Sequence, residues 1–468
     1  MTERLAGIVL AAGKGTRMKS DLPKCAMPVL GVPLGGLVGR AMRQAGADPI
    51  AFVVGHRGDV MRDVLSDSYL YAEQTEQKGT GHAAMMAEQV LSEYEGPVLV
   101  SAGDLPLIDG ASLKKLADAH RTGGNHATVA TVVFDDPTGY GRILRDAKGQ
   151  PCAIVEEKDA TPEQRKLKEV CVSVYCFDAK TLFRLLPTLS AENAQGEYYL
   201  TDMLEAVYKD GGKVETVIFE DAAVMTGVND RWQLALAAKE LRLRILERHA
   251  KAGVTIVDPD TAFIGPDVVL GMDAVIHPNT VIEGETHVGK ATEVGPNTLI
   301  RDCSIGDGCE ILMSHLNRAK VADGVRVGPF ANIRPHAELR AGAKIGNFVE
   351  IKNAVIGEKS SVSHLTYIGD AEVGAKANIG AGTITCNYDG FLKHRTKIGD
   401  GAFVGSNSTL IAPVEIGAGA IIAAGSVISH DVEAEALALG RARQEVKPEW
   451  APHFRARKIA ERQNQGSN

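Results

Sequence analysis

A glycine-rich turn follows the first apolar stretch of the chain and has the composition of a phosphate-binding loop. Residues 6–12 predict a short buried strand, and residues 13–18 read Gly-Lys-Gly-Thr-Arg-Met. Glycine lets backbone N–H groups approach phosphate oxygens, and a helix that begins after such a turn adds its dipole. The spacing excludes a Walker A loop, and Met18 at the third glycine position excludes a dinucleotide fingerprint. Arg17 and Lys24 are the cations placed to carry phosphate charge.

A carboxylate stands just beyond another predicted strand. Residues 98–101 form that strand, and Asp104 follows it closely. In sheets that alternate with helices, ligands bind at the carboxyl ends of the strands. Hard oxygen ligands suit Mg²⁺, so Asp104 is a candidate to hold that ion against phosphates, with a solvated turn residue as the alternative. Phosphoryl-type transfer requires mainly neutralised charge and an in-line approach.

His364 is the natural general base of the second half of the chain. Imidazole titrates near neutral pH and can therefore take a proton from a reacting group such as an ammonium. Glu350 and Lys352 precede His364 by roughly one coil of the repeat described next, so the three are expected to lie close together. A structural histidine within the repeat is the alternative.

Aliphatic residues recur every six positions between residues 264 and 428, often followed by glycine. The series begins with Ile264, Leu270 and Ile276 and slips by a residue in a few places. This period is that of neither a helix nor an alternating strand. Three hexapeptides complete one coil of a parallel β-helix, with the aliphatic side chains pointing inward. A loop that interrupts the repeat up to about residue 396 is expected to be functional.

Composition restricts the classes of protein to which the chain could belong. A net charge of −8 without a long basic run argues against nucleic acid as a main partner. The seven scattered cysteines form no CxxC pair and suggest a reducing compartment. The sequence shows no signal peptide and no apolar run as long as a membrane span. These features predict a cytoplasmic protein without a membrane partner.

Alternating strand and helix patterns in the first half predict a mostly parallel sheet with helices on both faces. The residues from Asp230 to about His249 lack glycine and proline and predict a helix of about five turns, with Asp230 as a possible N-cap. The predicted organisation is an α/β domain over residues 1–229, a helical linker over 230–250, a β-helix over 251–441 and a tail over 442–468 that is expected to be disordered.

Several motifs in the first half resemble those of sugar-phosphate nucleotidyltransferases. Residues 10–18 with Pro23 and Lys24 resemble the signature loop of that class. Residues 72–82 resemble the uracil-recognition segment, in which the Gln74 amide could both donate to and accept from a base edge. Residues 136–142 and 154–156 resemble sugar-side loops, 196–202 match less distinctively, and 227–229 resemble the segment that supplies a second Mg²⁺ ligand.

Over nearly its full length, the chain resembles the bifunctional N-acetylglucosamine-1-phosphate uridyltransferase and glucosamine-1-phosphate acetyltransferase family. The tracts 364–370 and 378–390 are the most specific. The resemblance implies a Rossmann-like nucleotidyltransferase domain, a left-handed parallel β-helix, Mg²⁺ as cofactor and a homotrimer with acetyl-transfer sites between subunits. It also implies four substrates (glucosamine-1-phosphate, acetyl-CoA, N-acetylglucosamine-1-phosphate and UTP) and a product, UDP-N-acetylglucosamine, that serves cell-wall synthesis.

The resemblance also implies a role for individual residues. Catalysis would fall to His364 as base, to Glu350 as the residue that orients it, and to Arg17 and Lys24. Mg²⁺ would be bound by Asp104 and Asn229. The uridyl-transfer substrates would be bound by Leu10, Ala11, Ala12, Gly13, Lys24, Gln74, Gly79, Thr80, Ala102, Gly103, Asp104, Gly141, Glu156, Cys171 and Asn229. Glucosamine-1-phosphate would be bound by Arg334, Lys352, Tyr367, Asn378 and Lys393. Acetyl-CoA would be bound by Ala381, Asn387, Tyr388, Ser406, Ala424 and Arg441.

The chain departs from the family pattern in its first half. Cys171-Val172-Ser173 replaces an Asn-Thr/Ser-Gly motif, Ala102 replaces an aromatic residue, and Thr226 replaces an acidic one. Loss of a sugar hydrogen bond could cost about 1–3 kcal/mol, which suggests altered sugar selectivity. Two alternatives to the bifunctional enzyme therefore stay open. One is an acetyltransferase whose first half has changed sugar specificity or serves only for binding, and the other is a single-function nucleotidyltransferase with a structural β-helix.

Overall fold

The computed structural model describes residues 4–65 and 67–465, and the chain divides into two compact units. The first unit comprises residues 1–251 with 263–266, and the second comprises residues 252–262 with 267–468. The helix predicted as a linker lies within the first unit. Within the described ranges, no helix has the length and apolar character needed to cross a membrane.

The first unit is built around one sheet whose middle strands run parallel. Its strands are β1 Leu5–Ala11, β2 Pro28–Val29, β3 Val32–Pro33, β4 Ala47–Val54, β5 Leu70–Glu73, β6 Pro97–Ala102, β7 Ala127–Val133, β8 Gly141–Arg145, β9 Pro151–Val155, β10 Glu169–Asp178 and β11 Val214–Ile218. The sheet order is β11-β7-β10-β6-β1-β4-β5, and β8 and β9 form a hairpin beside β10. Only β10 in this series runs antiparallel to its neighbours. The prediction of a mostly parallel α/β sheet is confirmed.

Helices cover both faces of this sheet and connect its strands. They are α1 Leu34–Gln44, α2 Gly58–Val64, α3 Thr80–Met86, α4 Glu88–Leu91, α5 Gly110–Gly123, α6 Ala179–Leu185, α7 Met203–Lys209 and α8 Arg231–Lys251. Short 3₁₀ turns occupy Thr16–Met18, Lys24–Ala26, Gln164–Lys166, Leu186–Thr188, Leu200–Asp202 and Ala222–Met225. Successive side chains of a strand point to opposite faces. Ile8 and Val9 of β1 are accordingly fully buried in two different apolar clusters, one on each side of the sheet.

The helix α8 begins as its sequence predicts and packs against the first unit. The Asp230 carboxylate accepts a hydrogen bond of 2.8 Å from the backbone N–H of Gln233, which is the geometry of an N-cap. The Gln233 side chain in turn accepts from the backbone N–H of Asn229 at 2.7 Å. Leu234 and Leu241 pack against an apolar cluster that includes Met18. These contacts fix the segment that carries Asn229.

A buried histidine makes the stability of the first unit sensitive to acid. His120 of α5 is 3% exposed and its Nδ1 lies 3.0 Å from the Thr128 hydroxyl. Burial lowers the pKa of His120 from 6.5 to about 4. Because the folded pKa is depressed, its contribution is complete above pH 6.5 and is lost as the pH falls from 6.5 towards 4. The loss could reach about 3 kcal/mol.

We therefore expect the free energy of unfolding to fall less steeply between pH 7 and 5 in His120→Leu than in the unmodified chain. Thr128 would keep a partner, because the Asn125 amide donates to its hydroxyl at 3.1 Å. Urea unfolding followed by circular dichroism measures this slope. His56 is exposed, and His56→Gln serves as the matched control. Equal slopes for His120→Leu and His56→Gln would contradict the assignment.

The second unit is a left-handed parallel β-helix with three faces. The first face contains Thr255–Ile256, Val275–Ile276, Glu293–Val294, Glu310–Ile311, Arg326–Val327, Lys344–Asn347, Ser361–His364, Asn378–Ile379, Phe403–Val404, Ile421–Ile422 and Leu437–Ala438. The second contains Val281–Glu283, Leu299–Arg301, His315–Asn317, Asn332–Ile333, Glu350–Lys352, Tyr367–Gly369, Ile384–Cys386, Thr409–Ile411 and Val427–Ile428. The third contains Val269–Leu270, His287–Val288, Ser304–Ile305, Lys320–Val321, Glu338–Leu339, Val355–Ile356, Ala371–Val373, Thr396–Ile398 and Val414–Ile416. Phe263–Ile264 is a further short strand.

The six-residue period places one aliphatic side chain inside each face of every coil. On the first face, Ile276, Val294, Ile311 and Val327 follow one another in strand register, and each is at most 2% exposed. Burying such a side chain contributes roughly 1.5–3 kcal/mol. The predicted inward orientation of the repeated aliphatic residues is confirmed at these positions.

The tail does not have the expected disorder throughout. Residues 450–465 form an exposed helix, α9 Trp450–Gln465, with the Trp450 and Phe454 rings stacked 4.8 Å apart. The segment contains alanine, glutamate, arginine and lysine, which favour helix, and lacks glycine. A polar composition, which suggested disorder, is therefore also compatible with a helix that is exposed to solvent.

Candidate active sites

A cavity of about 360 Å³ opens at the carboxyl ends of β1 and β6. Predicted residues that line it are Leu10, Ala11, Ala12, Gly13, Lys24, Gln74, Gly79, Thr80, Ala102, Asp104 and Glu156. It is also lined by residues that were not singled out individually as site residues, although some lie in tracts noted in the sequence, namely Cys25, Gln77, Ala83, Ser173, Tyr175, Glu197, Leu200 and Thr201. The position is the one expected for a ligand in an α/β sheet.

Lys24 stands at the centre of a polar network beside this cavity. Its ammonium donates to a carboxylate oxygen of Asp104 and, at 3.2 Å, to the amide oxygen of Asn229. Arg17 donates to the same Asn229 oxygen at 2.9 Å. The backbone N–H of Val228 donates to the Asp104 carbonyl at 3.0 Å, which ties the two segments together. Residues far apart in sequence thus meet as two cations and two oxygen ligands.

The glycine-rich turn reaches Lys24 because Gly15 has no side chain. Gly15 adopts a left-handed conformation with φ of 59°, and a Cβ atom there would lie 2.6 Å from the Lys24 Cβ. Any other residue would push the turn away from the lysine. The Thr16–Met18 turn that follows places Arg17 on the same side as Asn229.

The oxygens of Asp104 and Asn229 form a donor set that fits Mg²⁺. Both converge on one ammonium group, so their arrangement already accommodates a cation. Mg²⁺ in nucleotide sites is held by one or two protein oxygens and completes its shell with phosphates and water. In the part of the chain that the structure describes, no group of three or more histidine, cysteine, aspartate or glutamate side chains could hold a metal ion by itself. A site that shares its metal with a phosphate ligand is consistent with both observations.

One wall of the cavity carries the Glu156 carboxylate, whereas Asp202 lies outside the cavity lining. Thr201 donates to Glu156 at 2.9 Å, and burial raises the pKa of Glu156. Burial, reinforced by the charge of Glu156, raises the pKa of Asp202 to about 6. Gly141 adjoins this wall, because a Cβ built on it would lie 3.6 Å from a Glu156 oxygen. The Glu156 carboxylate can accept hydrogen bonds from hydroxyl groups of a sugar.

Cys171, which was predicted to bind a uridyl-transfer substrate, does not line the cavity. It is 4% exposed, packs in an apolar cluster and donates to the Tyr175 hydroxyl at 3.2 Å. Burial raises the pKa of its thiol to about 12. Ser173, which has a left-handed φ of 57°, and Tyr175 line the cavity instead. A break in strand register between Cys171 and Tyr175 produces this arrangement, and the sequence gives no signal of it.

Two hydrogen bonds join the segments that surround the cavity. Gly103 donates its backbone N–H to the Leu10 carbonyl at 2.9 Å and joins β6 to β1. Gln77 donates to the Ala12 carbonyl at 2.7 Å and holds the segment of residues 72–82 against the glycine-rich turn. Glu197 and Thr201 belong to the tract of residues 196–202, whose weaker match in the sequence was the signal that could have placed them at the cavity.

The β-helix carries a second cluster of charges on its second face. Arg334 donates to Glu350 at 2.6 Å, and these residues lie on successive coils. Lys393, from the loop that interrupts the repeat, stands against Lys352 and lowers the pKa of Lys352, first through their direct contact. Three cations with a single paired carboxylate make a surface suited to a phosphate group.

Asp370 anchors the loop to this cluster. Asn353 donates to one of its oxygens at 2.5 Å and Asn387 donates to the other. Burial acts to raise the pKa of Asp370, but these hydrogen bonds and the nearby lysines leave it lowered. Asn387 is therefore held by a carboxylate in this structure.

The structure corrects the expectation that Glu350 orients His364. His364 Nδ1 forms its hydrogen bond with the side-chain oxygen of Asn347, and Glu350 pairs with Arg334. Asn347 lies 17 residues before His364, directly beneath it in strand register. With the Asn347 amide oxygen as acceptor, Nδ1 would donate this hydrogen bond and Nε2 would be the ring nitrogen available to accept a proton.

The residues predicted to bind glucosamine-1-phosphate divide between two faces. Tyr367 follows Glu350 in register on the second face. Asn378 is an exposed residue of the first face, between Ser361 and Phe403. One chain therefore does not bring Asn378 and Lys352 together.

Three of the predicted acetyl-CoA residues lie on stacked turns next to His364. The backbone N–H of Gly382 donates to the His364 carbonyl, that of Asn407 to Ala381, and that of Gly425 to Ser406. Ala424 occupies the corresponding turn of the last coil. Ala381, Ser406 and Ala424 therefore follow one another on successive turns that begin beside His364.

The loop between Asn387 and Thr396 is internally braced. Asp389 accepts from the backbone N–H groups of Phe391 and Leu392 and from His394, and these bonds lower its pKa. Tyr388 is 60% exposed and donates to the Gly390 carbonyl at 2.6 Å. Arg441 is exposed beyond the last strand of the first face, without a described contact to this loop.

Comparison with known proteins identifies the same two parts. Residues 7–257 match the MobA-like NTP transferase domain family, which is more than half of the chain. Residues 395–430 match the bacterial transferase hexapeptide family of six repeats.

Relatives match both parts together. A bifunctional protein GlmU of Carboxydothermus hydrogenoformans is 48% identical over 446 residues, which cover 95% of this chain and 100% of that protein. One from Streptococcus pyogenes is 50% identical over 444 residues, covering 95% of this chain and 96% of its own. One from Acetivibrio thermocellus is 44% identical over 448 residues, covering 96% and 97%.

Proposed function

The chain belongs to the family of bifunctional GlmU proteins. From that premise we propose which residues carry out each of its two successive reactions. The enzyme makes UDP-N-acetylglucosamine by acetyl transfer in its β-helix and uridylyl transfer in its N-terminal unit. The observation that carries the division is that each unit has its own polar residues: the first has the network around Lys24, and the β-helix has the Lys352 and Lys393 cluster on its second face and His364 on its first.

In the acetyl-transfer site, His364 Nε2 takes a proton from the ammonium group of glucosamine-1-phosphate. The freed amine nitrogen attacks the thioester carbon of acetyl-CoA, and the carbon–sulfur bond breaks as the amide forms. The nitrogen loses its second proton to water as the amide forms, and His364 returns the first proton to the leaving thiolate, which departs as the CoA thiol. Arg334, Lys352 and Lys393 hold the sugar phosphate, and their mutual repulsion is relieved by its charge. Asn347 holds His364 in the required tautomer.

In the uridylyl-transfer site, a phosphate oxygen of N-acetylglucosamine-1-phosphate attacks the α-phosphorus of UTP, and the bond to pyrophosphate breaks. Arg17 and Lys24 neutralise phosphate charge, and Gly13 and Gly15 let the backbone approach. Glu156 and Thr201 bind the sugar. Asp104 and Asn229 would hold Mg²⁺, which when bound neutralises phosphate charge and aligns the phosphates for in-line attack.

We propose that the functional form is a homotrimer in which neighbouring chains complete each acetyl-transfer site. The placement of Asn378 and Lys352 on different faces supports this, because a second chain could supply the missing face. Closed rotational symmetry would make all such sites equivalent.

Subunit complementation tests this arrangement. Lys352→Ala and Asn378→Ala are each expected to be inactive in acetyl transfer. When the two are unfolded, mixed equally and refolded, about one quarter of the sites should combine two unaltered faces and regain activity. Mixtures no more active than either variant alone, or a monomer by light scattering, would contradict the proposal.

We further propose that the first half has altered sugar selectivity. Cys171 faces Tyr175 and Ala102 lines the cavity, so neither supplies a sugar hydrogen bond. The double variant Cys171→Asn with Ala102→Tyr should differ from the unmodified chain in its KM ratio for N-acetylglucosamine-1-phosphate and glucose-1-phosphate. Identical KM ratios for the two proteins would contradict the proposal.

We propose a cytoplasmic location, where UTP and acetyl-CoA are available. The seven cysteines are free, and several are deeply buried. Free thiols persist in a reducing compartment. Fractionation of cells that express the protein would test the location, and recovery outside the cytoplasm would contradict it.

A further inference from the structure

The Gln74 side chain is held in one orientation by two acceptors. Gln74 is 4% exposed and lines the nucleotide-sized cavity. Its Nε2 donates to the Gly79 carbonyl at 3.0 Å and lies 3.0 Å from His82 Nδ1. A carbonyl oxygen can only accept, so the amide nitrogen and not the amide oxygen must face Gly79.

The position of the amide nitrogen fixes the role of His82. The Gln74 amide nitrogen, Nε2, can only donate, so His82 Nδ1 must accept its second N–H. The proton of the His82 imidazole therefore resides on the other ring nitrogen, His82 Nε2. His82 is the third residue of α3 and is absent from the cavity lining. Its ring lies 6.4 Å from that of Tyr198.

The backbone around Gly79 sustains this geometry. Gly79 has a φ of 102°, and a Cβ there would lie 2.5 Å from the Tyr198 carbonyl oxygen. The N–H of Gly81 donates to that same oxygen at 2.7 Å. The segment is thus fixed against residues 197–200, and the acceptor pair that faces Gln74 is fixed with it.

We propose that His82 is a positioning residue for base selection: it holds the Gln74 amide so that its oxygen, Oε1, is presented to the base of the nucleotide. Both amide hydrogens are used by Gly79 and His82, which leaves Oε1 as the group available to a ligand. This inference rests on the proposed uridylyl transfer.

An acceptor at this position distinguishes the pyrimidines. N3 of uracil carries a hydrogen and donates, whereas N3 of neutral cytosine is an acceptor. An oxygen that faces N3 therefore attracts uracil and repels cytosine, and a rotated amide that presents its NH₂ group would reverse the preference. Sites built to bind a particular hydrogen-bonding group reject analogues that leave a buried polar atom unpaired.

The test compares kcat/KM for UTP and CTP in the full-length protein with N-acetylglucosamine-1-phosphate and Mg²⁺. His82→Phe keeps a planar ring beside Tyr198 but has no acceptor. His82→Asn retains an acceptor oxygen and is the matched control. We expect the UTP-to-CTP ratio to fall at least about 10-fold in His82→Phe, chiefly through a raised KM for UTP with kcat within about twofold, because the amide is then no longer held with its oxygen towards the base. In His82→Asn the ratio should stay within about threefold of the unmodified value.

The controls separate this inference from the function on which it rests. Failure of the unmodified chain to use UTP would overturn both. A His82→Phe variant that retains acetyl transfer and an unchanged UTP-to-CTP ratio would overturn the inference alone, as would a ratio that falls equally in His82→Asn. If His82→Phe does not fold, His82→Leu removes the acceptor with a smaller side chain, and the same outcomes apply to it.

Discussion

Replacing His364 with alanine is expected to lower kcat for acetyl transfer by at least about 100-fold, because a positioned general base contributes about 10²–10⁴-fold to such reactions. The KM for acetyl-CoA should change little, since the row of turns at Ala381, Ser406 and Ala424 is untouched. Pyrophosphate release from UTP should also stay unchanged, because Lys24 and Asp104 belong to the other unit. Release of CoA thiol measures the first quantity.

Two neighbouring variants separate orientation of the base from binding of the substrate. Asn347→Ala removes the partner of His364 Nδ1 and should lower kcat. Glu350→Gln leaves that bond intact and weakens the pairing of Arg334, so its main effect should be on KM for glucosamine-1-phosphate. Full activity in His364→Ala, or a kcat loss with Glu350→Gln that exceeds the loss with Asn347→Ala, would contradict this description of the site.

Replacing Asp104 with alanine is expected to lower kcat/KM for UTP by about 1,000-fold, roughly 4 kcal/mol. The change removes one of two oxygens proposed to hold Mg²⁺ and leaves the Lys24 ammonium without its carboxylate partner. The remaining activity should require a higher Mg²⁺ concentration for saturation. Pyrophosphate release during a Mg²⁺ titration measures both effects.

Asp109→Asn is a matched control for this experiment. Asp109 is five residues from Asp104 and caps α5 by accepting from the Ser112 N–H at 2.7 Å, a role that asparagine fills equally well. It should therefore retain both activities. Loss of the same size in Asp109→Asn would point to misfolding, and near-normal activity in Asp104→Ala would exclude Asp104 as a metal ligand.

The repeating parts of the molecule could be predicted because a simple period determines them. An aliphatic residue every six positions has one arrangement that buries all of its copies, and Ile276, Val294 and Ile311 are stacked in that way. The start of α8 could be predicted for a similar reason, because the Asp230 N-cap requires only a hydrogen bond from the backbone N–H three residues ahead. Such features depend on near neighbours along the chain or on neighbours one coil away.

The hydrogen-bond partners of the functional residues were harder to predict, although the exact length of a coil would have predicted one of them. Residues 17 apart lie on top of one another here, which pairs His364 with Asn347 and Tyr367 with Glu350. The expectation of closeness used a spacing of only roughly one coil, and the family resemblance suggested Glu350 as the residue that orients the base. The position of Cys171 had no such rule, because a local break in strand register turned its side chain into the core.

The most direct test of the two-reaction account is one incubation with glucosamine-1-phosphate, acetyl-CoA, UTP and Mg²⁺, followed by chromatography of the sugar products. The account predicts UDP-N-acetylglucosamine, with equal amounts of CoA thiol and pyrophosphate, and no product when any of the three substrates is omitted. Accumulation of N-acetylglucosamine-1-phosphate without pyrophosphate would show that the first unit does not use this sugar. Absence of CoA thiol would show that the β-helix does not carry out the acetyl transfer.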